Sequence, residues 1–301
     1  KATIITVLMS SFLLYRMFRN IASIQYVFQK LIGISASIER VVDLNRSLDE
    51  ISQVDGNVSI TNIEELRLEN VSFDYSSGEV LQKLNLKFMK GKSYAIVGES
   101  GSGKSSLLSL LTILNVPIEG KIYINDQDSI NIKKSLFRKK IGYISQDLVY
   151  FDGSIKENIQ LNNKSNQSLK KVIDEVLLND LVKNKGLDKS IINFGKNLSG
   201  GQLQKINIAR EIYKNPNLLL MDEASSALDA NSEMKIMKNI FKNNKDKIII
   251  IAAHRLSILK YVDVIIMLDN QSKLASGNMT QLYHSNTKFK KMCNNQSIFL
   301  D

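Results

Sequence analysis

The sequence predicts an α/β fold built on a mixed sheet, with a long helix before it. Three observations support this. The apolar run Ser93 to Val97 leads into a glycine-rich loop and then a leucine-rich helix. Two later apolar runs, Leu218 to Met221 and Lys247 to Ala253, end in polar side chains, as buried parallel strands do at the edge of a sheet. Residues 2–48 have helical spacing, with Gly33 as the only helix breaker.

The glycine-rich loop has the pattern G-x-x-x-x-G-K-S in its expected strand, loop and helix setting. Its residues are Gly98, Glu99, Ser100, Gly101, Ser102, Gly103, Lys104 and Ser105, and Ser106 continues into the helix. Backbone N–H groups of such a loop form an anion-binding nest at a helix N-terminus. We expect Lys104 to reach the β- and γ-phosphates of a nucleotide and the Ser105 hydroxyl to ligate Mg²⁺.

Composition limits the class of protein. The chain has 301 residues, 44% of them hydrophobic, enough for a full core and a second element. Cys293 is the single cysteine, so an intrachain disulfide is excluded and a reducing compartment is expected. The formal charge of +10 suits an anionic membrane surface, a nucleotide or nucleic acid. No basic stripe interleaved with aromatic residues supports a nucleic-acid partner, so we expect none.

The first residues predict a membrane element. Residues 2–15 are almost wholly apolar but fall short of the roughly twenty residues that span a bilayer. Because the chain starts at Lys1 and not at Met, we expect it to begin partway through a longer protein. We predict the end of a last transmembrane helix and its cytosolic extension over 1–48, and a linker over 49–63. A buried soluble helix remains the alternative.

Several residues at predicted strand ends are candidates for nucleotide contact. Alternating apolar residues predict a strand that ends near Tyr75, whose ring could stack on a base. The strand Ile141 to Ser145 ends at Gln146, an amide that can ligate Mg²⁺ and orient water. Beyond it, Ser154 and Glu157 predict a capping box. Together with helical spacing over 168–181, this predicts an all-helical insert in the sheet.

A second glycine pair follows the insert. Leu198, Ser199, Gly200, Gly201 and Gln202 precede a predicted helix over 203–213. Exposed N–H groups at this helix N-terminus would form a second phosphate-binding device. One nucleotide seldom needs two such loops from one subunit, so the sequence predicts a head-to-tail pair of chains that share each nucleotide.

Carboxylates and a histidine end the later strands. Asp222 and Glu223 directly follow the apolar run Leu218 to Met221, and we expect them to face the glycine-rich loop, or P-loop. There Asp222 suits the Mg²⁺ shell, and Glu223 can polarise the attacking water. Asp229 lies in the loop after them. His254 closes the next strand, where it could donate to a γ-phosphate oxygen. A terminal hairpin over 264–276 and a weakly helical tail complete the expected fold.

These motifs resemble the nucleotide-binding domain of ATP-binding cassette (ABC) transporters, over 64–301 and in the family's order. The resemblance implies a P-loop NTPase (ABC ATPase) core with a helical signature subdomain over about 147–213. It implies ATP and Mg²⁺ as cofactors, base contact at Tyr75, and catalysis by Glu223, His254 and Gln146. It also implies nucleotide contacts from Asp229 and, across a dimer, from the Ser199 to Gln202 signature.

The stretch 136–159 resembles the exporter branch, in which the membrane domain and the cassette share a chain. This implies a half-transporter that pairs with a second, expected to be identical, in a multi-pass cell membrane protein whose cassette is cytoplasmic. Its ATP hydrolysis would drive export of a peptide, lipid or drug. Asn193 stands where exporters usually have an acid, and Lys205 where Arg is more usual. A soluble ABC-type ATPase acting on nucleic acid or ribosomes is the alternative function.

Overall fold

The computed structural model describes residues 2–51, 55–75, 78–161, 163, 165, 167–192, 197–269 and 274–299. It divides into two compact units, 1–54 and 55–301. The first unit is a single helix, α1 (Ala2–Ile51), which continues through Gly33. Its large apolar side chains from Ile4 to Leu44 are exposed. Within the described chain, Thr3–Ser47 is the one helix long and apolar enough to cross a membrane, with a mean hydropathy of 1.2.

The second unit contains two main sheets. Its strands are β1 (Glu65–Tyr75), β2 (Gly78–Met89), β3 (Ser93–Val97), β4 (Glu119–Ile124), β5 (Gln127–Asp128), β6 (Ile141–Ile144), β7 (Gly153–Ser154), β8 (Ser190–Ile191), β9 (Leu218–Asp222), β10 (Ile248–Ala252), β11 (Val264–Leu268) and β12 (Leu274–Gly277). An antiparallel sheet has the order β2-β1-β4-β5. A second sheet has the order β12-β11-β3-β10-β9-β6 and is parallel except at β12, which confirms the mixed sheet and the terminal hairpin.

Helices fill both faces of the six-stranded sheet. They are α2 (Lys104–Leu111), α3 (Lys134–Arg138), α4 (Ile155–Gln160), α5 (Leu169–Glu175), α6 (Asn179–Lys185), α7 (Gly200–Tyr213), α8 (Ala230–Asn243), α9 (Met279–Ser285) and α10 (Thr287–Asn295). Alternate residues of β3 enter two separate cores. Ala95 and Val97 join the core under α7 and α8, and Tyr94 and Ile96 join the core that α2 shares with the antiparallel sheet. The sheet is therefore covered on both faces.

A bulge explains the irregular alternation in β1. Leu66 and Leu68 are buried, and so are Val71 and Phe73. Side chains on one face of a regular strand are an even number of positions apart, but Leu68 and Val71 are three apart. The pairing with β2 shifts register between Leu68 and Val71, and Asn70 between them has a φ of 49°. The extra residue returns the apolar side chains to the buried face.

The prediction of an all-helical insert was wrong. Gly153–Ser154 and Ser190–Ile191 pair as a two-stranded antiparallel ribbon that closes the insert at its base. The predicted helix over 168–181 is also interrupted, because Leu177 has a φ of 55° and separates α5 from α6. The capping box at the start of α4 is confirmed, with both Ser154 and Glu157 in place.

Candidate functional site

The P-loop connects β3 to α2, and its glycines are required by space and by backbone conformation. A Cβ at Gly98 would lie 2.5 Å from the Leu268 carbonyl oxygen. Gly103 has a φ of 89°, and a Cβ there would lie 2.7 Å from Leu81 Cδ2. Only glycine allows the backbone to fold this closely at both positions. Glycine at these positions therefore permits the tight backbone curve that a phosphate cradle requires.

Lys104 lies inside this cradle with 5% of its surface exposed. Its Nζ donates to the carbonyl oxygens of Gly98, at 3.0 Å, and Glu99, at 2.9 Å. Burial lowers the pKa of the Lys104 ammonium, and the charges of Glu223 and Asp222 oppose that shift. Ser102 Oγ is also buried, and it has no hydrogen-bond partner among the described residues. A buried cation and a buried unpaired hydroxyl in one loop fit a polyanionic ligand.

Ser105 links the P-loop to β9 by a hydrogen bond. Its Oγ donates to Asp222 Oδ1 at 3.1 Å, and Tyr143 Oη donates to Asp222 Oδ2 at 3.2 Å. A hydroxyl and a carboxylate are hard oxygen ligands of the kind Mg²⁺ prefers. Within the described residues, no three His, Cys, Asp or Glu side chains form a metal site. A Mg²⁺ ion here would therefore take other ligands from nucleotide phosphates and water, as is usual for this ion.

Glu223 and His254 meet beside this pair. His254 Nε2 lies 2.5 Å from Glu223 Oε1. Glu223 directly follows β9, and His254 follows β10 with one residue between, so the adjacent parallel strands bring the two together. Glu223 has a φ of 49°, which turns the chain sharply after the strand. Both His254 and Glu223 line a cavity of about 280 Å³.

The glycine pair of the LSGGQ stretch begins α7. Ser199 caps the helix: its Oγ accepts from Gln202 N at 3.3 Å, and its own N donates to Gln202 Oε1 at 3.0 Å. A Cβ on Gly201 would lie 3.2 Å from the Ala227 carbonyl oxygen, in the loop before α8. Asp229 caps α8, and hydrogen bonds from Ser232 hold the pKa of the Asp229 carboxyl below its ordinary value.

The two glycine loops open helices that pack on different elements. The α2 helix packs against β2, β9 and β10. The α7 helix packs against α4, α5 and β6. The structure therefore brings together Lys104, Ser105, Asp222, Glu223 and His254, and it places Ser199 to Gln202 on another part of the domain.

Three predicted positions stand apart from this cluster. Gln146 is exposed in the loop after β6, and it makes no hydrogen bond to another residue that the structure describes. Tyr75 ends β1, but its side chain lies outside what is described. Asn193 also lies outside the described residues. The roles of all three stay predictions.

Sequence reasoning missed several polar contacts around the site. Tyr143 is one, since a tyrosine in an apolar strand gives no signal that it will meet Asp222. Arg255 donates to Glu233 Oε2 at 2.7 Å, and Ser225 Oγ donates to Glu233 Oε1 in the same cavity wall. Glu233 shows 2% exposure. Arg255 directly follows His254, and this adjacency was the one available clue.

Comparison with known proteins agrees with this geometry. Residues 81–226 match the family model described as ABC transporter. A putative export ATP-binding/permease protein of Rickettsia typhi is 34% identical over 301 residues, which covers 95% of this chain and 51% of the relative. The leukotoxin translocation ATP-binding protein LktB of a Pasteurella haemolytica-like species is 34% identical, covering 86% of this chain and 37% of the relative.

A solved structure is also similar over most of the chain. It is that of a bacterial Atm1-family ABC exporter with ATP bound, with a TM-score of 0.79 and 29% identity, covering 89% of this chain and 48% of that one. The chain belongs to the ABC transporter family and carries its ATP-binding domain. It spans about half or less of the length of these relatives, from 37% to 51%.

Proposed function

We propose that this chain binds and hydrolyses ATP and that the hydrolysis drives export across a membrane. The observation that carries the proposal is the meeting of two pairs, Ser105 with Asp222 and Glu223 with His254, at the carboxyl ends of neighbouring strands beside the P-loop. Relatives whose names refer to export or translocation support the second half of the proposal. These relatives favour export over the alternative function, that of a soluble ATPase acting on nucleic acid or ribosomes.

Each residue of the site has a distinct task in this proposal. Lys104 exchanges the carbonyl oxygens of Gly98 and Glu99 for phosphate oxygens. Glu223 takes the proton of the attacking water, and His254 positions that carboxylate through its Nε2. Mg²⁺, held by Ser105 and Gln146 and through water by Asp222, would neutralise the charge of the phosphates.

The complete site needs a second chain, which we propose is an identical copy. Ser199 and Gly201 of one copy would contact the nucleotide on the P-loop of the other. The separate packing of α2 and α7 supports this arrangement, since each of the two loops opens on its own part of the domain. A pair in which each chain supplies both halves of the shared site is symmetric. ATP would stabilise the closed pair by binding it more tightly than the open one.

We further propose that α1 contributes a membrane span to a multi-pass cell membrane protein, with the second unit in the cytoplasm. At about 1.5 Å per residue, the 45 residues of Thr3–Ser47 are roughly twice as long as a bilayer core is thick. The helix is thus long enough for a span and a cytosolic extension. We propose a peptide, lipid or drug as the transported substrate.

Replacing Glu223 with Gln tests the catalytic assignment. The variant keeps the size of the side chain and one acceptor oxygen, but its amide cannot take up the proton. We expect ATP turnover to fall by about 10² to 10⁴-fold, with ATP binding retained and an ATP-dependent dimer trapped. Glu64→Gln, on an exposed carboxylate outside the site, is the matched control. Normal turnover by Glu223→Gln would remove Glu223 as the base, and failure of ATP to pair two copies would remove the shared site.

A further inference from the structure

A cavity of about 460 Å³ opens at the amino-terminal ends of β3 and β10, the sheet edge opposite the P-loop. Five lysines line it: Lys92, Lys238, Lys242, Lys245 and Lys247. Asp263 is the one acid among the lining residues that the structure describes, and its Oδ2 already accepts from Ser93 N and Ser93 Oγ, both at 2.7 Å. Five lysines against one carboxylate leave four positive charges in excess. We name this cavity the lysine cleft.

Lys247 is the buried member of the lysine cleft, with 4% of its surface exposed. Its ammonium donates to Asn244 Oδ1 at 2.7 Å and makes no further hydrogen bond within the described chain. Burial lowers the pKa of the Lys247 ammonium, and the positive charge of nearby Lys171 lowers it further. The negative charges of Asp246 and Glu175 oppose that shift. An ammonium can donate three hydrogen bonds, so two remain for another partner.

The other four lysines of the lysine cleft are exposed, and none forms an ion pair with a described residue. A buried cation is costly unless anions compensate it, and at Lys247 the charges of Asp246 and Glu175 supply part of that compensation. Lysines 238 and 242 lie one turn apart on α8, where like charges repel each other without a shared counter-ion. An anion in the cavity would lower both the remaining cost at Lys247 and the repulsion on α8.

We propose that the lysine cleft binds a small soluble anion carrying at least two phosphate groups. A single phosphate would leave about two of the four excess charges uncompensated at neutral pH. The cavity volume falls within the range of about 300 to 1,000 Å³ that is usual for small-molecule pockets. The five residues of β3 separate the lysine cleft from the P-loop by roughly 15 Å, so the two sites are distinct.

Isothermal titration calorimetry with inorganic pyrophosphate tests the proposal on the 301-residue chain in detergent. The titrations use a Lys104→Ala background, so that the P-loop does not contribute. The cleft variant combines Lys238→Gln with Lys242→Gln, both on the exposed face of α8. The matched control combines Lys183→Gln with Lys235→Gln, which removes the same charge from exposed positions outside the lysine cleft.

We expect pyrophosphate to bind saturably in the background and about tenfold more weakly after the cleft substitutions, with the control within about twofold. Lys247→Gln should weaken binding to a similar degree, and its melting temperature shows whether the fold is kept. Glycerol phosphate serves as the probe for a lipid headgroup and should bind more weakly than pyrophosphate. Absence of saturable binding, equal weakening by cleft and control substitutions, or glycerol phosphate binding as tightly as pyrophosphate would overturn the proposal.

Discussion

His254 Nε2 and Glu223 Oε1 lie 2.5 Å apart, although 30 residues separate them in the chain. Glu223 is held there with a φ of 49°, in the left-handed region that side-chain-bearing residues rarely adopt. Strained backbone of this kind persists where the surrounding structure determines it, and it clusters at functional sites. The contact is therefore a property of the tertiary structure, and the first two predictions follow from it.

In the proposed mechanism, replacing His254 with Ala removes the group that positions the Glu223 carboxylate. We expect kcat for ATP to fall by about 10²-fold or more, with a smaller change in KM, because Lys104 and the P-loop stay intact. Steady-state ATPase assays measure kcat and KM separately. His284→Ala is the matched control, since His284 is exposed on α9. A kcat within twofold of the parent would show that His254 does not position the base.

The strain at Glu223 can be measured separately from its chemistry. Glu223→Gly and Glu223→Ala both remove the carboxylate, so both are expected to be inactive. The glycine variant should be more stable than the alanine variant by about 1 kcal/mol, because a left-handed backbone is costly for residues with a Cβ. Urea unfolding of the pair gives the difference. An alanine variant as stable as the glycine variant would show that the backbone there is unstrained.

Arg210 holds the start of the insert to α7, and its guanidinium geometry should matter. It is 5% exposed, and it donates to Asn158 O and Val149 O, each at 2.7 Å, and to Asn207 Oδ1 at 2.9 Å. Lysine cannot reproduce that fork of donors, so Arg210→Lys should lower the unfolding free energy by about 2 kcal/mol or more. Denaturant titration measures it, with the exposed Arg46→Lys as control. A loss of unfolding free energy equal to that of Arg46→Lys would mean that the guanidinium donors of Arg210 are not required.

Ser199 permits a test that separates helix capping from nucleotide contact. Ser199→Ala removes the cap of α7 and should cost about 1 kcal/mol of stability, whereas Ser199→Asp keeps a capping oxygen. In the proposed dimer, the aspartate would place a negative charge against the partner's nucleotide phosphates. In the Glu223→Gln background we therefore expect Ser199→Asp to keep its melting temperature and lose ATP-driven pairing on gel filtration. Pairing at parental strength would argue against contact between the signature and nucleotide.

The capping box of α4 predicts a pH dependence of stability. Hydrogen bonds from Ser154 N and Oγ hold the pKa of the Glu157 carboxyl below its ordinary value. The unfolded state then binds the proton first on acidification, so this contribution is present above the ordinary pKa and is lost as pH falls through the lowered one. Glu157→Gln should lose less stability than the parent between pH 6 and pH 3, as melting temperatures would show. Parallel curves for the two proteins would contradict the assignment.

The sequence alone determined the parts of this protein that depend on neighbouring residues. The P-loop, the capping box of α4 and the buried strands are set by glycine conformations, local hydrogen bonds and apolar runs within about ten residues of chain. For the same reason the sequence indicates Lys104, Ser105, Asp222 and Glu223 as candidate site residues. Their common location follows from a rule for parallel sheets, that ligands bind at the carboxyl ends of strands.

Only the tertiary structure decided the contacts between distant residues. The sequence did not indicate the β7 and β8 ribbon, because two-residue strands have no periodicity to detect. Nor did it place Tyr143 on Asp222, or bring Lys92 beside the four lysines of 238–247 around one cavity. Such contacts depend on strand order, β12-β11-β3-β10-β9-β6, in which neighbours are far apart in the chain. Long-range packing selects that order, and no local pattern encodes it.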